Sequence, residues 1–137
     1  MLELLVVLGV LALVIVIALP HLPRRAEAAA VRAAASSLAD GLRESRGLAI
    51  RRNSPVLFSL DVAARRWTIQ DGRSAELPQE LALALETDRR LLQSREAGAI
   101  RFFADGSATG GRIVLSRDGV SATVVVDWLT GQVAVDD

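Results

Sequence analysis

The chain has 137 residues, and its 16 basic and 16 acidic side chains leave no formal net charge. With a sequence pI near 6.6, a dominant electrostatic footprint for nucleic acid is not expected. The sequence contains no Cys, Lys or Tyr, so disulfides, thiolate metal sites and thiol or amine nucleophiles are excluded, and all 16 basic residues are Arg.

Leu4 to Leu19 is a run of 16 residues without a charge or a hydrogen-bonding side chain, and it is preceded by the acid Glu3. At ~1.5 Å per residue the run is ~24 Å long, short of a ~30 Å hydrocarbon core yet far too apolar for a surface helix. An acid at the membrane end of such a segment is costly unless it is paired, whereas at headgroup level it costs little. Position alone leaves both readings of Glu3 open. Arg24 and Arg25 follow the run and nothing basic precedes it, so charge bias alone would place residues 24 to 137 in the cytoplasm. The stretch Pro20-His21-Leu22-Pro23-Arg24-Arg25 is unlike a small-residue cleavage site, which argues against a cleaved secretory signal. Pro20 and Pro23 are expected to bend or interrupt the chain here, and His21 reads as an interfacial residue.

Residues 26 to 52 carry a helical pattern. Ala28, Val31, Ala35, Leu38, Leu42, Ser45 and Ala49 recur at spacings of three and four as one stripe, with Arg32, Arg43, Glu44 and Arg46 largely off it. This part of the chain is basic: residues 24 to 52 hold seven Arg against three acids, and residues 53 to 137 hold nine Arg against twelve.

Beyond Asn53-Ser54-Pro55 the signals change to strands and turns. Val56-Leu57-Phe58-Ser59-Leu60 and Arg66-Trp67-Thr68-Ile69-Gln70 predict a hairpin that Asp71-Gly72 ends. Leu81 to Glu86 predicts a strand after Pro78. Ile100-Arg101-Phe102-Phe103 and Arg112-Ile113-Val114-Leu115 flank a long glycine turn, and Val120 to Asp127 with Gln132 to Val135 predict a last hairpin. One helix followed by about seven short antiparallel strands, over residues 55 to 136, is an α+β domain. Leu38, Leu42, Phe58, Trp67, Phe102 and Ile113 are its expected core.

The turn Asp105-Gly106-Ser107-Ala108-Thr109-Gly110-Gly111-Arg112 reads physically as turn chemistry, with glycines for positive φ and Asp, Ser and Thr to satisfy loop amides. As a phosphate cradle it lacks the Gly-Lys-Ser/Thr ending, and as a calcium loop it offers one strong oxygen ligand, Asp105. No activating base stands near a Ser or Thr nucleophile, so no enzyme and no cofactor are expected.

Two segments carry a family resemblance. Met1-Leu2-Glu3-Leu4-Leu5-Val6-Val7-Leu8-Gly9-Val10-Leu11 resembles the region that follows the cleavage site in type IV pilins and type II secretion pseudopilins. Ile100 to Leu115 resembles the C-terminal signature of the H-type minor pseudopilins, the GspH family, and of their FimT and FimU pilus relatives, which commonly have Pro where Ala104 stands. The resemblance maps the family's assembly glutamate onto Glu3, its helix-bending proline onto Pro20, and its signature turn onto Asp105, Gly106, Ser107, Thr109, Gly110 and Gly111. It implies a pilin-like fold: a long N-terminal helix, transmembrane over residues 1–23, then a periplasmic domain over residues 24–137.

The sequence does not show the family's basic leader, its terminal Gly or the methylated Phe, which points to a start placed too far downstream or to a truncated chain. Two restored residues would bring the apolar helix to about 21 residues, or ~31 Å. A restored basic leader would also correct the charge count that otherwise misplaces the domain. The implied function is a non-enzymatic subunit of the type II secretion pseudopilus in the bacterial inner membrane. Its implied partners are other pseudopilins, the inner-membrane assembly platform and, for the precursor, prepilin peptidase. The alternative is a minor pilin of a type IV pilus, with Arg pairs such as Arg89-Arg90 touching DNA in uptake.

Overall fold

The computed structural model describes residues 1–18, 22–87 and 97–136. Pro20, His21, Arg89 and Arg90 lie outside the described residues, as does the expected bend at Pro20.

Helix α1, Leu2–Ala18, is 17 residues long and apolar all round, as its unbroken aliphatic run requires. Its large side chains are exposed on every face, from Leu4 at 66% to Leu11 at 57% and Ile17 at 60%, and among the described residues none of the helix belongs to the buried core. At ~1.5 Å per residue it measures ~26 Å. Among the described residues no helix is long and apolar enough to cross a membrane.

Helix α2, Leu22–Arg52, starts four residues before the expected position, with Pro23 in its first turn, where a missing N–H does no harm. Its buried stripe is the one read from the sequence. Val31, Ala35, Leu38, Leu42, Ser45 and Ala49 are fully buried, while Ala28 is half-buried. Ser45 meets its own hydrogen-bond need by donating to the Gly41 carbonyl at 2.8 Å. Gly41 is dictated by close approach, because a Cβ there would lie 2.9 Å from the Trp67 ring and 3.0 Å from Phe58. A mid-helix glycine costs about 1 kcal/mol relative to Ala, and here it admits the stacked Phe58–Trp67 pair, with ring centroids 5.6 Å apart. Arg73 covers the outer face of Trp67 at 5.3 Å and pairs with Glu44 of α2 at 3.2 Å. The helix closes with Arg51 and Arg52 at the negative end of its dipole and with Asn53 at a φ of 50°. The Ser54 amide then donates to the Ala49 carbonyl at 3.2 Å.

Eight strands follow: β1 Val56–Asp61, β2 Arg66–Ile69, β3 Ser74–Glu76, β4 Ala82–Thr87, β5 Ala97–Phe102, β6 Gly111–Arg117, β7 Val120–Val126 and β8 Val133–Asp136. They form two four-stranded antiparallel sheets, ordered β3-β2-β1-β5 and β4-β6-β7-β8, and α2 packs across both. Buried and less buried residues alternate along β1, β6 and β7, and the two inner faces close the core on α2.

The fold is the expected helix on antiparallel strands, with two differences in detail. Asp71-Gly72 ends the first hairpin, after Ile69, but does not end its sheet. Asp71 takes a φ of 56°, and the chain turns into β3, where Ala75 pairs with Trp67, giving eight strands rather than seven. The glycine turn, moreover, does not join paired strands. β5 pairs with β1, whereas β6 lies between β4 and β7, so residues 103–110 carry the chain from one sheet to the other.

Candidate functional site

The signature turn is held from inside by its own side chains. The Asp105 carboxylate accepts the Ser107 hydroxyl at 2.6 Å and the Ser107 amide at 2.9 Å, while the Gly106 amide donates to the Phe103 carbonyl at 3.0 Å. Gly106 and Gly110 adopt φ values of 87° and 75°, the left-handed region that favours glycine. Thr109 binds Arg101 twice: its amide donates to the Arg101 carbonyl at 2.9 Å, and its hydroxyl accepts the Arg101 amide at 3.1 Å. Gly111 opens β6, with its Cβ position 2.9 Å from Ile100.

A second turn, residues 127–131 between β7 and β8, is built the same way. Asp127 accepts the amides of Thr130 at 2.8 Å and Leu129 at 3.0 Å and the Thr130 hydroxyl at 2.9 Å, so one carboxylate caps the whole turn. The two turns are joined by the Ala108 amide, which donates to the Trp128 carbonyl at 2.9 Å. Helix α2 then secures both: Arg46 Nε donates to the Gly106 carbonyl at 3.0 Å and to the Thr130 carbonyl at 3.2 Å. Trp128 and Leu129 stand on the rim of this cluster, 65% and 63% exposed.

The structure therefore gathers Asp105, Gly106, Ser107, Thr109, Gly110 and Gly111 into one hydrogen-bonded turn tied to α2 through Arg46, with Gly106 and Gly110 buried in it. Glu3 lies elsewhere, exposed in the first turn of α1. Sequence reasoning missed Arg46 as the strut and Asp127 as the second cap. Arg46 read only as a residue off the apolar stripe, since contacts to carbonyls 60 and 84 residues away leave no local pattern. The spacing from Asp127 to Thr130, by contrast, is the signal that could have revealed the second cap.

Both caps titrate below the usual carboxylate range. Asp105 is lowered chiefly by the Ser107 hydroxyl and then by the Ser107 amide; Asp127 is lowered chiefly by the Thr130 amide and then by the Thr130 hydroxyl. A depressed folded-state pKa contributes stability that is present above the unfolded value of about 3.9 and is lost as pH falls through the folded value. Thermal unfolding followed from pH 6 down to about pH 2.5 should show this contribution intact above about pH 4.5 and lost at the acid end. In Asp105→Asn and Asp127→Asn the acid-dependent fall should be smaller.

A family model described as Type II transport protein GspH matches residues 34–131, which takes in most of α2, strands β1 to β7 and both turns. The chain belongs to the GspH family. It is 36% identical over 133 residues to the Type II secretion system protein H of Xanthomonas campestris pv. campestris, an alignment covering 97% of this chain and 79% of that protein. Two solved folds lie equally near this GspH-family chain. The minor pseudopilin EpsH of the Vibrio cholerae type 2 secretion system superposes with a TM-score of 0.61 at 17% identity, over 77% of this chain and 95% of that one. The type IV minor pilin FimU of Pseudomonas aeruginosa gives the same TM-score at 12% identity, over 78% of this chain and 88% of that one. At such identities the superpositions establish the pilin-like fold and do not discriminate secretion from pilus. The family match and the 36% relative do discriminate, and they favour secretion.

Proposed function

We propose that this chain is a minor pseudopilin: a non-enzymatic building block of the type II secretion pseudopilus, anchored in the inner membrane with its folded domain on the periplasmic side. The observation that carries this reading is 36% identity to a type II secretion protein H along 97% of the chain. The structure supports the mechanical part. A helix whose aliphatic side chains are exposed on every face must be covered, and the covers suited to it are acyl chains and the apolar helices of neighbouring subunits. Among the described residues the buried core, by contrast, draws on α2 and the chain that follows it, so the domain keeps its own fold while α1 assembles.

Glu3 is the exception to the apolar character of α1. A carboxylate carried into hydrocarbon requires a cationic partner, and the N-terminal amine of an adjacent subunit supplies one. Glu3→Ala is expected to leave membrane association intact and to lower incorporation into the filament, read by shearing and fractionating assembled pseudopili. Normal incorporation together with normal protein export would remove Glu3 from assembly.

A further inference from the structure

Strand β8 is the last strand of its sheet, and its pairing phase fixes which backbone groups face outward. The Asp127 amide donates to the Gln132 carbonyl at 2.9 Å, and Val125 and Thr123 stand opposite Ala134 and Asp136. In this alternation Ala134 and Asp136 turn their N–H and C=O toward β7, while Val133 and Val135 turn theirs away from it. The outward Val133 carbonyl accepts only a long 3.3 Å bond from Arg43. Beside this edge lies an open depression of about 380 Å³ lined by Arg43 and Arg46 of α2 and by residues 131–134. Arg43 is half exposed and holds Asp40 at 3.3 Å; Arg46 binds backbone carbonyls, and no carboxylate pairs with it among the described residues. An unpaired strand edge flanked by a helix is the geometry in which an extended peptide adds as a further strand.

We infer that the groove between β8 and α2 receives an extended acidic segment of a neighbouring polypeptide. That segment adds antiparallel to β8 through Val133 and Val135 and sets carboxylates at alternate positions against Arg43 and Arg46. The incoming amide replaces Arg43 on the Val133 carbonyl, which frees the guanidinium for a carboxylate, where a charge-assisted bond is stronger. Charge complementarity selects the partner: residues 24 to 52, all within α2, hold seven Arg against three acids. The inference stands on the strand edge and the two arginines and does not require the export reading.

The test is fluorescence anisotropy with the full chain in detergent micelles. The probe is a labelled peptide of about eight residues alternating valine and glutamate, with a valine–lysine peptide as its counterpart. Saturable binding of the glutamate peptide alone is expected. It should be weakened about tenfold or more by Arg43→Glu and by Val135→Pro, which removes an outward N–H and leaves the β7 ladder whole. Equal binding of both peptides, no saturable binding of the glutamate peptide, or wild-type affinity in either variant overturns the proposal. Should Val135→Pro lower the melting temperature, Arg43→Glu alone decides.

Discussion

Gly131→Ala is expected to be among the most damaging single substitutions in the domain. Gly131 has a φ of 65°, and a Cβ built there would lie 2.0 Å from the Gly106 carbonyl oxygen and 3.0 Å from Arg46 Nε. The left-handed backbone costs an alanine roughly 1–2 kcal/mol, and forcing a methyl group against backbone adds roughly 1–3 kcal/mol. Because the obstructing atom is the carbonyl that Arg46 binds, relief would require the two turns to part. Gly119→Ala separates the two contributions. Gly119 has a φ of 82° with nothing within 4 Å of its Cβ position, so it carries the backbone cost alone. Urea unfolding of both variants should give a loss of about 3 kcal/mol or more for Gly131→Ala and about 1–2 kcal/mol for Gly119→Ala. Equal losses would mean that the turns yield to each other freely.

Leu42→Ala should cost about 2–5 kcal/mol, the range for emptying a fully packed leucine site. Leu42 has no solvent exposure and lies in the α2 stripe that closes over the sheets. Among the described residues none of α1 contributes to this core, so urea unfolding of residues 24–137 measures the effect without α1. A loss below about 1 kcal/mol would show that α2 is held by something other than its buried stripe.

These two sites differ in how far the sequence reveals them. The stripe in α2 is legible because a helix buried on one face repeats its apolar residues at a fixed angle. Leu38, Leu42, Phe58, Trp67, Phe102 and Ile113, read as core from pattern alone, are each no more than 1% exposed. Alternation revealed the β1–β2 and β7–β8 hairpins for a similar reason.

Pattern is silent where structure depends on distant partners. β3 is three residues long and carries Ser74 and Glu76 toward solvent, so it has no apolar period to read. Its existence depends on the ladder that β2 offers. β5 and β6 each alternate, but alternation does not say which neighbour a strand pairs with, and the passage between sheets stayed hidden. The signature turn was legible as turn chemistry, with Asp, Ser and Thr side chains serving loop amides, yet the pairing of Asp105 with Ser107 and the attachment through Arg46 were not, because a guanidinium bonding to carbonyls imposes no side-chain identity on its partners.

The chain's role in export is tested most directly by removing it from the organism that encodes it and measuring folded exported proteins inside and outside the cells. The account predicts that these proteins accumulate in the periplasm and that secretion returns when the intact chain is supplied. Unchanged secretion, accompanied by loss of pilus-dependent motility or DNA uptake, would contradict it and assign the chain to a type IV pilus instead.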